Sequence, residues 1–365
     1  MKKISTAAAR RIGKIEGQRL TAGLDLGDRS SWYCVLDAAG EVLLERKLAT
    51  TPKAMKEVFG GMPRSRIGLE TGMHSPWVSR LLSALEHEVI VAHARNVRLI
   101  GESRRKEDRF DARTRARRAR MDPDLLGPVQ PRSRKAQADL TVIRAGLVRA
   151  RTSLIHTARG LTKSYGGRLR GCSPRKGNRE LAEGLSLELQ SALQPLRNEI
   201  ESLSERIREY HERVQQIAQE SYPEVARREQ GKGVGTLIAL TDVLTLEDPR
   251  RFRKSRDGGC YLGLRPGRRN SGQSEPQLHI SKEGDPYRRT LMVQSAHHIL
   301  GPFGADSDLR RWGLKLAERG GKNGKKRAVV AVARKLAILL HRLWVSGEVY
   351  EPLRNRHQVV LPAAA

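Results

Sequence analysis

The stretch Thr21–Leu48, "TAGLDLGDRSSWYCVLDAAGEVLLERKL", decides how the first third of the chain is read. "TAGLDLG" is a short apolar run stopped by glycine. "SWYCVLD" and "EVLLERKL" are two further runs of strand length, and "AAGE" between them has the residues of a hairpin turn. Working outward, Pro52–Phe59 has helical character and "RIGLE" is a fourth strand. "SPWVSRLLSALEHE" has helical spacing with Pro76 near its start, where proline is tolerated. "VIVAHA" is a fifth strand, and the basic segment around Asp108 is expected to be a helix. Three strands, helix, strand, helix, strand, helix is the order of an α/β layer with an antiparallel edge.

The remainder reads as helical. Between Lys135 and Lys163 apolar residues recur at Leu140, Ile143, Leu147, Leu154, Ala158 and Leu161. After the basic, glycine-rich "SYGGRLRGCSPRKGN", a second series runs Leu196, Ile200, Leu203, Ile207, Tyr210, Val214, Ile217, in steps of four and three. This is a heptad seam, with Pro195 expected in the first turn of its helix. It suits either one amphipathic helix packed on its own domain or an antiparallel or dimeric coiled coil. The last part opens with "GKGVGTLIAL", a glycine–hydrophobic–glycine turn before an apolar helix. Such a turn resembles a helix-hairpin-helix, and its backbone N–H groups can hold a phosphate. The segmentation is a basic tail over 1–20, an α/β domain over 21–130, a helical or coiled-coil region over 131–225, a mainly helical domain over 226–353 and a tail over 354–365.

Charge narrows the function. Lys and Arg number 69 against 40 Asp and Glu, a formal net charge of +29. An excess of that size favours polyanions, nucleic acid first among them. No apolar run is long enough to span a bilayer and no signal-peptide core opens the chain, so a membrane is not the expected partner. Cys34, Cys172 and Cys260 are scattered and lack metal-ligand spacing, as ordinary thiols of a reducing cytoplasm do.

Against this background the carboxylates stand out. In "RRKEDRFDARTRARRAR" (104–120) nine of seventeen residues are basic, yet Asp108 and Asp111 sit inside it. Three residues apart, they share one helix face. Asp25 and Glu70 each end a strand before a Gly or Thr-Gly turn. Were the two strands neighbours with that helix laid over them, all four acids would converge. Converged carboxylates need a cation, and hard oxygen donors suit Mg²⁺ or Mn²⁺. Singly, each acid also suits a bland role: a turn former, a helix cap, or a solvated ion pair. "GLDLG" also occurs in actin-like ATPases and sugar kinases, but the further phosphate and adenosine loops of those folds are not found here.

Taken together, "GLDLG", "GLETG", "KEDRFDA", "GKGVGTLIALTDVLTLEDPRRFRKSRDGGCYLGLRPGRRNSG" and "VAVARKLAILLHRLW" resemble, in order, the insertion-sequence 110/1111 family of transposases, over Thr21 to Leu353. The resemblance implies an N-terminal RuvC-like domain of RNase H type, a coiled coil and a C-terminal transposase domain. It implies a D-E-D-D metal tetrad at Asp25, Glu70, Asp108 and Asp111. It also implies a catalytic serine in a loop usually written Ser-Ser-Gly; here the loop reads "RRNSG", leaving Ser271 at the motif and Ser274 three residues beyond. The "KEDRFDA" block departs from the commoner K-T-D-x-x-D-A but keeps both acids. The implied partners are donor and target double-stranded DNA, an element-encoded guide (bridge) RNA and further copies of the chain, as a dimer or tetramer. The serine and acid domains would meet across subunits, in a bacterial, cytoplasmic, nucleoid-associated protein.

Phosphate contacts are expected from Arg104, Arg105, Lys106, Arg113 and Arg117 around the acids. In the C-terminal part they are expected from Lys232, Arg265, Arg268, Arg269, Lys282 and Arg288. Two other readings compete: a hydrolytic RuvC-like junction nuclease, which needs only the acids, and a non-catalytic nucleic-acid-binding protein, which needs neither acids nor serine.

Overall fold

The computed structural model describes residues 20–92, 108–126, 128–129, 138–167, 185–267, 274, 276, 278–319, 321 and 323–355. The chain divides into two compact units, residues 1–133 and 134–365.

The first unit is built on a five-stranded sheet: β1 (Thr21–Asp25), β2 (Ser30–Leu36), β3 (Val42–Ala49), β4 (Arg66–Glu70) and β5 (Glu88–Ala92). The strand order is β3-β2-β1-β4-β5. The β1–β2 and β2–β3 pairs are antiparallel, whereas β1–β4 and β4–β5 are parallel. This is the RNase H/RuvC-like arrangement of a mixed sheet with an antiparallel edge, and the run of elements along the sequence matches the expectation. Side-chain alternation divides the sheet into two faces. On one, Ala22, Leu24, Tyr33, Val35, Ile67, Leu69 and Val91 bury against α1 (Pro52–Phe59) and α2 (Ser75–Ala84). Thr51 caps α1 through Ala54 N–H, and Pro52 follows in the first turn. The opposite face takes α3 (Asp108–Met121), through Ala112, Ala116 and Ala119, with Leu126 of the turn that follows it packed on Ile90 and Ala92.

The second unit is helical. Helices α4 (Ala138–Ser164) and α5 (Leu187–Ser221) form an antiparallel pair, with Ala158 packed on Leu189 and Leu193 while Arg151 donates to Ser204 Oγ at 3.3 Å. The heptad seam therefore packs within its own chain, burying Ile200, Leu203, Ile207 and Val214. Two expectations need correction. Pro195 lies inside α5 rather than in its first turn. Ser186 caps the helix well upstream, and the burial of Leu189 and Leu193 extends it past the proline. On α4, Ile143 and Leu161 are exposed, and the inward positions belong to Thr141, Ala145, Ala158 and Thr162. Leu140, Leu147 and Leu154 are half-buried beside them.

Beyond the pair come α6 (Glu224–Glu229), α7 (Thr236–Leu246), α8 (Ser255–Tyr261), α9 (Pro286–Leu300), α10 (Asp308–Glu318) and α11 (Gly324–Ser346). The ends of α5 and α6–α11 share one core, with Leu240, Val243, Leu262, Met292, Ala296, Val332, Leu336 and Leu340 at its centre. Inside it, Asp242 of α7 is ion-paired with both Arg228 of α6 and Arg288 of α9, and none of the three side chains is exposed. The Trp344 ring of α11 lies 4.0 Å from the Arg228 guanidinium carbon. Arg288, expected at the nucleic-acid surface, is thus a core residue, because a single acid inside the apolar helix "TLIALTDVLTL" draws it in. No described helix is long and apolar enough to cross a membrane.

Candidate active site and nucleic-acid surface

The site begins with two glycines. "AGLD" in β1 and "IGLE" in β4 run parallel in register, Gly23 beside Gly68. Each glycine precedes its acid by two residues, so glycine and acid share the face turned toward α3. A Cβ on Gly23 would stand 2.1 Å from the Ala112 carbonyl oxygen and 2.3 Å from the Ala116 nitrogen; one on Gly68 would stand 3.0 Å from Ala119 Cβ. The α3 backbone thus lies directly on the two strands, at a distance no larger residue permits. That contact brings the first turn of α3, with Asp108 and Asp111, over the strand ends that carry Asp25 and Glu70.

Three of the acids, Asp25, Asp108 and Asp111, act on one another electrostatically, and Glu70 joins them through Arg115. Burial pushes the Asp25 carboxyl above its ordinary range, and the charges of Asp111 and Asp108 push it the same way. Arg115 opposes them. One turn after Asp111 and nearly fully buried, its guanidinium reaches Asp25 at 2.7 Å and also bonds Glu70. The cation that converged carboxylates require is, in this arrangement, a side chain of the same helix. Among the described residues no group of three or more His, Cys, Asp or Glu side chains is placed to hold a metal ion. The all-oxygen donor set suits a divalent cation in its chemistry, but an ion between Asp25 and Glu70 has to displace Arg115.

A second arginine set fixes α3 from the side. Glu45 of β3 is almost fully buried and accepts from Arg113 Nη2 at 2.8 Å and from Arg109 Nε at 2.6 Å. The hydrogen bonds from Arg113, followed by those from Arg109, hold the Glu45 carboxyl down at about 2. Across the β2–β3 ladder, burial and the Glu45 charge push the Cys34 thiol up to about 12, which keeps it protonated. Arg113 is therefore anchored to the sheet, whereas Arg117 is exposed and open to an anion. Lys232, Arg265 and Lys282 are exposed in the second unit. Arg104, Arg105, Lys106, Arg268, Arg269 and Ser271 lie outside the described residues; Ser274 is described and exposed.

Reading the sequence missed three parts of this site: Gly23, Gly68 and Arg115. The glycines left a signal in the repeated "GLD" and "GLE". Arg115 left only its i+4 spacing from Asp111, within a segment where arginine is the commonest residue.

Comparison with known proteins places the chain in a family. Residues 22–166 match the DEDD-type transposase family of IS110 elements, and residues 228–306 match the transposase family IS116/IS110/IS902. The chain is 33% identical over 255 residues to the transposase for insertion sequence element IS1111A of Coxiella burnetii, covering 67% of this chain and 68% of that one. It is 26% identical over 338 residues to a probable family 20 transposase of Pseudomonas aeruginosa, covering 90% and 98%. A sheet that presents an acid at the end of each central strand, a helix that brings two more, and these matches along both units lead to one statement: the chain belongs to the IS110 family of insertion-sequence transposases.

Proposed function

We propose that this transposase cuts and rejoins DNA strands with a serine nucleophile and a carboxylate-held divalent metal. The observation that carries the reading is the joint placement of Asp25 and Glu70 on adjacent strand ends beneath the acidic first turn of α3. Asp25, Glu70, Asp108 and Asp111 are the residues that would hold Mg²⁺ or Mn²⁺. When bound there, such an ion supplies Lewis-acid polarisation of a phosphodiester. The exposed guanidinium of Arg117 binds flanking phosphate.

Ser271 supplies the nucleophile. Its oxygen bonds to a backbone phosphorus, its proton passes to a base, and the bond from phosphorus to one deoxyribose oxygen breaks, that oxygen taking up a proton. The phosphoserine ester retains the energy of the broken bond. A deoxyribose hydroxyl of another strand then attacks the ester and releases the serine, so joining needs no nucleotide triphosphate. Base pairing with an element-encoded bridge RNA would choose the strands, leaving the protein to read backbone and shape. The resemblance of the motifs and the charge of +29 support that partner. The same resemblance supports assembly as a dimer or tetramer.

The test is a denaturing gel with labelled donor DNA, target DNA, co-expressed element RNA and Mg²⁺. Wild type is expected to give a protein–DNA adduct and joined product. Ser271→Ala should lose both, and Asp25→Ala should lose cleavage while still binding DNA. Equal cutting by wild type and Ser271→Ala, with no adduct, would replace this reading with a hydrolytic junction nuclease. Loss of the adduct in Ser274→Ala instead would move the nucleophile three residues along the loop.

A further inference from the structure

At the start of α7 the chain turns through Gly231–Gly235, and beside this turn lies an open cavity of about 410 Å³. It is lined by Gly233, Val234, Gly235 and Ile238 on one side and by Gln294, Ser295 and His298 of α9 on the other. We propose that this cavity binds a single phosphate of a DNA strand, as a backbone contact remote in sequence from both the acids and the serine. The proposal rests on the transposase reading for the identity of the polyanion, and on the cavity's own chemistry for the rest.

Three independent features make the cavity a receptor for an anion. First, α7 begins without a side-chain cap: Gly235 occupies the cap position, and among the described residues the amides of Thr236 and Leu237 have no acceptor. The start of an eleven-residue helix therefore presents donors and the positive end of its dipole. Second, Ser295, one of the lining residues, is 2% exposed, and among the described residues its Oγ has no hydrogen-bond partner. A buried hydroxyl left unpaired costs stability unless an incoming group satisfies it. Third, the backbone clears the approach. Gly233 has φ of +82°, and a Cβ there would press to 2.8 Å from Ile299 Cγ1, whereas one on Gly235 would meet nothing within 4 Å. The open side of Gly235 is the space an approaching phosphate would fill. None of the seven lining residues is acidic, and exposed Lys232 adjoins the turn. Amide and hydroxyl donors match phosphate oxygens, which only accept.

Two variants test this in the full chain, with fluorescence anisotropy of a labelled duplex read across a salt series. Gly235→Asp places a carboxylate over the same amides. Asp is as good a helix cap as any residue, so thermal stability should hold or rise while DNA affinity falls about tenfold or more at low salt. The slope of log affinity against log salt should shrink by about 0.9, the value of one lost phosphate contact. Ser295→Ala removes an unpaired hydroxyl; melting should not fall, and affinity should drop by about threefold or more. Wild-type affinity and slope in both variants would overturn the proposal, as would a loss confined to the element RNA with duplex DNA unaffected. The transposase reading fails separately: there, wild type itself would bind duplex DNA without salt dependence or yield no cleaved strand.

Discussion

Each unit of the molecule contains an arginine–carboxylate triad, and the two are built in opposite senses. In the second unit two arginines, Arg228 and Arg288, share one acid, Asp242, inside a core with no exposure. In the first unit one arginine, Arg115, is shared by two acids, Asp25 and Glu70, whose side chains remain 18% and 26% exposed. The sealed triad carries an excess of positive charge that nothing from solvent can reach. The open one carries an excess of negative charge, enlarged by Asp108 and Asp111, at a surface where a cation can arrive. Identical chemistry serves as a rivet in one place and as a receptive site in the other. What separates them is which sign is in surplus and whether water can enter.

The comparison can be broken most forcefully at Asp242. Asp242→Leu leaves two buried guanidiniums uncompensated, and about 3–5 kcal/mol of stability should disappear. Chemical denaturation should show the loss in the helical unit while the sheet unit keeps its own transition. A loss below about 1 kcal/mol would mean that the sealed triad is not a rivet.

The next effect belongs to the glycine contact that shapes the open triad. Gly23→Val forces the α3 backbone off the sheet and should cost about 1–3 kcal/mol, with near-complete loss of DNA cleavage. Because the strand itself tolerates valine well, retained cleavage would show that the acids do not depend on this close approach.

A smaller change should come from Arg115→Met, which keeps the length of the side chain and removes the competing cation. Mn²⁺ binding, followed by electron paramagnetic resonance, should tighten about tenfold, equivalent to about 1.4 kcal/mol. The metal-free protein should melt earlier, since the acids then face one another unbalanced. Weaker Mn²⁺ binding would mean that Arg115 assists the ion instead of standing in its place.

The mildest handle is pH. Glu45 has its carboxyl lowered from 4.5 to about 2 by Arg113 and Arg109. A depressed carboxylate contributes stability that is fully present above its unfolded value and is lost as pH falls toward the folded one. Thermal melts should therefore show the first unit weakening between about pH 4.5 and about pH 2, and Glu45→Gln should flatten that dependence. An unchanged acid profile in Glu45→Gln would place the acid sensitivity elsewhere.

Much of the first unit was legible because its signals are local. Each strand is an apolar run of the right length ended by a turn residue, and each acid stands at such an end. The register that sets Gly23 beside Gly68 is a pairing between segments forty-five residues apart, and no local pattern announces it. Arg115 was invisible for a different reason: in a helix where arginine is the commonest residue, only the fold decides which guanidinium turns inward. In the second unit the heptad seam suited either packing on its own domain or a coiled coil between copies, and it buries Ile200, Leu203, Ile207 and Val214 within the chain. On its partner α4 the fully buried positions are Thr141, Ala145, Ala158 and Thr162, while Leu147 and Leu154 are half-buried. Arg288 was assigned to the surface because charge usually lies there; Asp242, forty-six positions earlier, reverses that.

The contact of α3 with Gly23 and Gly68 has one more consequence. It is made of main chain and alanine methyl groups, and the ion pairs of Arg109, Arg113 and Arg115 with the sheet hold the helix on that uncharged contact. Residues on the solvent side of the same helix, Arg117 among them, can be exchanged without shifting the acids beneath. A single helix thus presents two faces: one set on the sheet, which holds the acids in place, and one exposed, on which, under the proposed function, the affinity for a nucleic-acid backbone would be rewritten residue by residue.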